Sequence, residues 1–342
     1  MRDRKKKTGA KYRAAAFGIF AGTALLALTA GCRSRQDVEP ESVIMDGKGG
    51  QNAQEEETDG AEERLQVMAS FYTMADFAEK IGGSQADVTC MVPTGTEPHD
   101  WEPSTTDITG LERADVFIYN GAGMEHWAED VTESLENQKL LVVEASDGIA
   151  LQEEASHAGH SHSHGGYDPH VWLDPQNAKL EMENIKNAFV QADPDNGAYY
   201  EANYEKWAKK ADALDQKYRE ALARFEGRQV VTAHEAYGYL CSAYGLEQLG
   251  IDGLSPDSEP NPRRMADIID FVREHQIRAV FFEELSGSKT AETVAAETGI
   301  ELLALSPLEG LSDEELAAGD DYFSVMEKNL GQLLLALGRE AE

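Results

Sequence analysis

The chain of 342 residues is poor in cysteine, with three, and poor in basic groups, with 30 Lys and Arg against 63 Asp and Glu. Cys32, Cys90 and Cys241 stand far apart, which excludes a disulfide scaffold. Cys90 and Cys241 are expected to be small buried residues. A formal charge of −33 removes the basic surface that nucleic acid or anionic phospholipid would require. Long apolar runs are scarce as well. The uncharged stretch Ala14–Ala30 has 17 residues, too few for a comfortable membrane span.

That stretch follows a basic segment containing Arg2, Arg4, Lys5, Lys6, Lys7, Lys11 and Arg13. Basic residues followed by a short apolar core are the pattern of an export signal. Its end, Leu28-Thr29-Ala30-Gly31-Cys32, resembles the lipobox of bacterial lipoproteins, with Thr29 where Leu is usual. The resemblance implies a signal peptide over 1–31 and a lipid on Cys32 that anchors the chain to the outer face of the cell membrane. Residues 32–63 are polar and acidic and bury too little apolar surface to offset the entropy of ordering. They are expected to form a flexible tether.

Five of the nine histidines fall between His157 and His170, in HAGHSHSHGGYDPH. Imidazole is the commonest side-chain ligand for zinc and its neighbours, so a tract this dense in it reads as metal-binding. The tract runs into the block Asp168-Pro169-His170-Val171-Trp172-Leu173-Asp174-Pro175.

From Arg64 onward, short β-type runs alternate with helical patterns. Strands are expected at Leu65–Ala69, Asp87–Val92, Val116–Asn120 and Leu140–Glu144, with helices such as Tyr72–Ile81 and Thr106–Arg113 between them. A second set is expected at Gln229–Ala233, Glu247–Gly250, Ala279–Phe282 and Leu302–Leu305. Strands separated by helices imply an α/β fold with parallel sheets and right-handed crossovers. Between the sets, Asn177–Phe225 reads as helix broken at Asp193-Pro194-Asp195, with Asp193 as cap and Pro194 in the first helical position. The piece from Pro194 to Phe225 would span about 48 Å. Its stripe of Tyr200, Tyr204, Trp207, Ala211, Leu214, Tyr218 and Leu222 is a packing face. The expected architecture is two lobes, each a mostly parallel sheet flanked by helices, joined by one long rigid helix with a metal cleft between the lobes. The expected boundaries are 64–193 for the N-terminal lobe, with a His-rich loop at 156–166, then 194–226 for the linking helix and 227–342 for the C-terminal lobe.

His99 follows the strand ending at Val92, His234 follows the strand Gln229–Ala233, and His170 lies in the block above. Open α/β sheets bind ligands beyond the carboxyl ends of their strands, where loops from both lobes converge. Three imidazoles and one carboxylate meet zinc's preference for four N or O donors.

The segments TGTEPHDWEPS, DPHVWLDP, TAHEAYGYL and LSPLEGLS, in this order around a long helix, resemble the zinc-binding branch of the lipoproteins that feed ATP-binding-cassette metal importers. The resemblance covers about residues 65–342. It implies a single ion between two lobes, held by His99, His170, His234 and, from the C-terminal lobe, Glu309, with Glu97 or water as the alternative fourth donor. It also implies Zn2+ as the transported ligand and an ABC-type permease and its ATPase as partners, with the chain acting as a monomer and not as an enzyme. His157, His160, His162 and His164 are expected to form a weak, mobile collecting site. Glu283 and Glu284, at the end of a strand, are candidates to support an imidazole or ordinary exposed carboxylates.

Other readings remain. Manganese-binding relatives carry a carboxylate where this chain has His234, and three nitrogens favour zinc over that harder ion. An exported zinc hydrolase would need an open coordination position and a base. Glu235 beside His234 suggests one, but residue 238 is Gly where H-E-x-x-H has its second His. An adhesin that uses zinc only for stability is a third reading. His126 and His275 fit no ligand motif, and Gly121-Ala122-Gly123 reads as a tight strand-to-helix turn.

Overall fold

The computed structural model describes residues 64–153, 166–254, 260–285 and 287–338. They belong to one compact unit, Gly60–Glu342. The proposed signal peptide, Cys32, the tether and the histidines at 157, 160, 162 and 164 lie outside the described residues.

Strands β1 (Leu65–Ala69), β2 (Ala86–Cys90), β3 (Val116–Tyr119) and β4 (Leu141–Glu144) form a parallel sheet in the order β2-β1-β3-β4. Strands β5 (Gln229–Thr232), β6 (Glu247–Gly250), β7 (Ala279–Phe282) and β8 (Glu301–Ala304) repeat that arrangement as β6-β5-β7-β8. The inner strands are buried along nearly their whole length, because helices cover both faces of a parallel sheet. Edge strand β2 is exposed toward its end. Cys90 sits there, exposed, with its thiol donating to the Val92 carbonyl at 3.3 Å, contrary to the expectation of burial. Cys241 is buried as expected.

The chain crosses between strands through α1 (Tyr72–Gly82), α2 (Thr105–Leu111) and α3 (Ala128–Ser134) in the first lobe. The second lobe uses α6 (Gly238–Ala243), α7 (Pro262–Glu274) and α8 (Lys289–Thr298), followed by α9 (Asp313–Ala318) and α10 (Tyr322–Leu337). Between the lobes lie α4 (Pro175–Ala192) and α5 (Gly197–Leu222). Asp174 starts α4 by accepting from the Gln176 amide at 2.9 Å, with Pro175 in the first turn.

The linking helix is shorter than its sequence pattern suggests. Pro194–Asn196 and Ala223–Phe225 are single 3-10 turns, leaving 26 residues of α-helix, about 39 Å. Asp193 does not cap α5. Its carboxylate is taken by the Asn196 amide and the Tyr200 hydroxyl, both at 2.7 Å.

Helix α5 packs on α4, α1 and α10 and so touches both lobes. Asn203 and Trp207 donate to the carbonyls of Ile81 and Lys80, each at 2.9 Å, and the Tyr218 hydroxyl donates to Met326 O at 2.6 Å. One hydrophobic core runs from Leu65 in β1 through Trp172 and Tyr218 to Leu337 in α10. The lobes are therefore fused through a shared apolar interior. Direct bonds reinforce this: the Trp172 indole donates to Pro307 O and the Tyr322 hydroxyl to Trp172 O, both at 2.7 Å. No described helix is long and apolar enough to cross a membrane.

Candidate metal centre

Loops beyond the strand ends bring His99, His170, His234 and Glu309 together, with one donor atom from each lying within 4.8 Å of the others. The His99 and His170 Nε2 atoms are 3.2 Å apart, and Glu309 Oε1 is 3.3 Å from the first and 3.0 Å from the second. His234 stands slightly back, with Nδ1 3.9 Å from Glu309 Oε1. Donors bonded to one tetrahedral zinc ion at its usual bond lengths lie about 3.3 Å apart. Three edges of the cluster already have that spacing, so the donor set fits such an ion by size as well as by chemistry.

Each donor is held by a separate device. The His99 amide donates to Glu97 Oε1 at 3.0 Å, so Glu97 braces the turn from behind. Asp168 Oδ1 accepts both the His170 amide, at 3.0 Å, and its ring Nδ1, at 2.7 Å, which turns Nε2 toward the cluster. The Tyr239 hydroxyl, from the other lobe, donates to Asp168 O at 3.1 Å, and Asn120 Nδ2 donates to Pro169 O at 3.0 Å. Gly238 lies against this bracket: a Cβ there would meet Asp168 Oδ2 at 2.5 Å. The glycine that breaks the H-E-x-x-H pattern is thus the residue that lets Asp168 approach.

Glu309 follows Leu308, a non-glycine residue at φ +62°. That conformation costs on the order of 1 kcal/mol. It is held by full burial of the leucine, by the Ser306 hydroxyl accepting the Leu308 amide at 3.2 Å, and by the Thr73 hydroxyl, which donates to Leu308 O across the lobe boundary. His234 is bound at both ring nitrogens. Nε2 donates to the Leu254 carbonyl at 2.7 Å and Nδ1 faces Glu283 Oε1 at 2.8 Å.

His170, His234 and Glu309 are almost wholly buried, and His99 is slightly open. Burial works against each charge, but the groups rescue one another. The three imidazoles hold the Glu309 carboxyl well below its usual range. Burial lowers His234, yet Glu283, Glu309 and the Leu254 carbonyl outweigh it and push its pKa up to about 10. Asp168 and Glu309 likewise raise His170 against its desolvation. Burial raises Glu97. In the metal-free cluster, Glu309 and His234 stabilise each other's charged forms.

Elsewhere among the described residues, His126 lies on the surface 3.7 Å from Glu102, and His275 stacks on Phe271, so neither joins the cluster. Glu284 lines a small cavity with Glu283 and Pro307. Residue pattern alone assigned no role to Asp168, Asn120, Tyr239 or the Leu254 carbonyl. Only Asp168, two residues from His170 in a compact block, offered any signal.

Fold and cluster define a class: two parallel-sheet lobes sharing one core, with a buried cation-type donor set between them. Residues 67–336 match the ZnuA family, described as zinc-uptake complex component A, periplasmic. The chain belongs to that family. It is 39% identical over 282 residues to the high-affinity zinc uptake system protein ZnuA of Bacillus subtilis, covering 80% of this chain and 88% of the relative. It is 38% identical over 291 residues to the zinc-binding protein AdcA of Streptococcus pyogenes, covering 80% of this chain but 56% of AdcA, so the chain spans little more than half of that relative. The crystal structure of the Zn(II)-bound ZnuA-like domain of Streptococcus pneumoniae AdcA superposes with a TM-score of 0.71 at 34% identity, covering 81% of this chain and all of that domain.

Proposed function

We propose that this chain is an extracytoplasmic receptor that captures Zn2+ with His99, His170, His234 and Glu309 and delivers it to an ABC-type permease for uptake. The observation that carries the reading is the convergence of three imidazoles and one carboxylate from both lobes within 4.8 Å. Three nitrogen donors and one oxygen favour zinc over manganese. Four protein donors also leave no open position for a catalytic water, which speaks against the hydrolase reading.

Zinc supplies charge that replaces the protons of the metal-free cluster. Asp168 aims His170, the Leu254 carbonyl and Glu283 hold the His234 ring, and the Leu308 turn presents Glu309. The fused core and the bonds from Trp172, Tyr322 and Thr73 oppose wide opening of the lobes. Release at the permease would therefore proceed by small shifts of the loops that carry the donors. The segment with His157, His160, His162 and His164 starts and ends at the paired residues Glu153 and Tyr167, beside Asp168. We assign it a collecting role, and deletion of 156–166 should leave the strong site intact. Lipid on Cys32 would anchor the receptor to the membrane.

Metal analysis of the purified protein, with calorimetry of the wild type and of His170→Ala, tests the assignment. The wild type is expected to bind one zinc ion tightly, and the variant to lose more than about 100-fold in affinity, beyond the range typical of losing a supporting partner. A wild-type protein that stays metal-free in excess zinc would overturn the reading.

A further inference from the structure

A cavity of about 260 Å3 opens between the lobes, walled by Gln152, Glu153 and Asp168 on one side and by Glu235, Gly238 and Glu247 on the other. Leu246 and Leu254 add apolar wall. The Asp168 side chain is only 8% exposed. Both of its bonds to His170 fall on Oδ1, and no described donor meets Oδ2. Gly238 marks where that oxygen lies: a Cβ there would stand 2.5 Å from Asp168 Oδ2 and 3.4 Å from Gln152 Oε1. The glycine therefore keeps open a spot that two acceptor oxygens share. A buried acceptor without a donor is unfavourable, so this spot calls for an N–H group from outside. The acidic groups around it do not converge on a metal ion. Among the described residues, only His99, His170, His234 and Glu309 bring three or more such donors close enough for that. A spread of acceptors beside apolar wall suits a larger, forked cation. Arginine offers five N–H donors on a flat, weakly hydrated frame, whereas the lysine ammonium is a compact, strongly hydrated point charge. The formal charge of −33 attracts cations to this surface and repels anions.

We infer that this cavity receives an arginine side chain of a protein partner, whose guanidinium bonds Asp168 Oδ2 and Gln152 Oε1 over Gly238. The partner is the permease, so the inference rests on the function proposed above. Glu153, Glu247 and Ser242, which also lines the cavity, are exposed and leave it accessible from outside. Its volume is below the usual range of small-molecule sites, as befits a single inserted side chain. Occupancy has a consequence for the metal. Charge drawn to Oδ2 weakens the hold of Oδ1 on the His170 ring, and supports of this kind govern metal affinity. Zinc and guanidinium therefore oppose each other, each lowering the other's affinity by the same factor. Docking of the arginine thereby loosens the ion where it is to be handed over.

The test titrates N-acetyl-argininamide into the metal-free and the zinc-loaded protein, followed by calorimetry and by NMR shifts. N-acetyl-lysinamide, the neutral N-acetyl-citrullinamide and free arginine serve as comparisons. The metal-free protein is expected to bind N-acetyl-argininamide with a Kd on the order of 1 mM, with the Gly238 amide among the resonances that move. The lysine and citrulline analogues should bind at least about fivefold more weakly, since they lack the charged fork. Zinc loading should weaken the argininamide about fivefold. Ser242→Trp, which sets an indole on the exposed rim, should abolish binding. No binding, equal binding of the lysine analogue, indifference to Ser242→Trp or equal affinity in both metal states would overturn the inference. Tighter binding of free arginine would overturn the assignment to a polypeptide. The shift map of the wild type locates the site even if the variant does not fold. A protein that binds no zinc would sink the proposed function, whereas tight zinc binding without argininamide binding sinks only the arginine pocket.

Discussion

The two lobes repeat one strand order, and in each a glutamate from the segment after the third strand closes on the segment after the first. In the N-terminal lobe this is Glu125, whose Oε1 accepts the Ser70 hydroxyl at 2.6 Å and the Asn120 amide at 2.9 Å, while Oε2 accepts the Gly121 amide at 3.0 Å. In the C-terminal lobe it is Glu283, facing His234 Nδ1. The same place in the topology thus serves two purposes. Backbone and hydroxyl donors make Glu125 a brace for the Gly121-Ala122-Gly123 turn, where three successive residues have positive φ. An imidazole partner places Glu283 against the proposed metal site. What decides between these roles is the donor that meets each carboxylate, not the fold around it.

The comparison can be sharpened first at His170, through its bracket. Asp168→Asn replaces an acceptor that fixes the ring and should cost about 10- to 100-fold in zinc affinity by calorimetry. An effect below that range would mean that Tyr239 and Asn120 suffice to hold the segment.

Acidity should act next. Metal-free His234 keeps its proton up to about pH 10. Because that value is raised, its contribution to the stability of the metal-free protein is fully present below about pH 6.5 and is lost as the pH climbs through 10. Zinc must displace the same proton. Apparent affinity should therefore rise about tenfold per pH unit between pH 7 and 9, a slope measurable by competition with a chelator. A flat profile over that interval would mean that His234 is already neutral in the empty site.

Glu125→Gln breaks the comparison directly. It should lower stability by about 1–3 kcal/mol in denaturant unfolding, since it replaces one buried acceptor with an amide donor facing the same N–H groups. Zinc affinity should change by less than about threefold, because no donor of the cluster touches Glu125. A large loss of affinity would show that the two glutamates do not have separate roles.

The smallest effect is expected at Glu181, fully buried in α4, where neither carboxylate oxygen has a hydrogen-bond partner among the described residues. Burial and the nearby Glu125 push its pKa well above the usual range. Its stabilising neutral form is complete below about pH 4.5 and is lost as the pH rises through the raised value. Glu181→Met should add about 1 kcal/mol of stability at neutral pH and flatten that dependence, as thermal unfolding at several pH values would record.

Much of this molecule is readable from its residues. The apolar runs of β1, β3, β5 and β7 stand out because strands buried on both faces need unbroken hydrophobic sequence. His99, His170 and His234 stand out because each sits beyond a strand or in a compact block. Edge strand β2 is harder to read: its ends depend on pairing along one side only, and Cys90 consequently faces solvent instead of the core. The first turn after Pro194 reads as α-helix from its composition, yet the Asp193 carboxylate is drawn off by Asn196 and Tyr200, and the α-helix proper begins at Gly197.

Residue identity alone determined the kinds of donor, their order along the chain and the lobe from which each comes, since these follow from periodicity and from the chemistry of imidazole and carboxylate. Tertiary structure decided which nitrogen of each ring turns inward, that Leu308 adopts a left-handed backbone to present Glu309, and that Glu283 rests on His234 while Glu125 rests on Ser70. Apart from the Asp168–His170 bond, those choices depend on partners 20 to 235 positions away in sequence. A local pattern holds no record of such contacts, because only the packed core sets the distance and angle at which they meet.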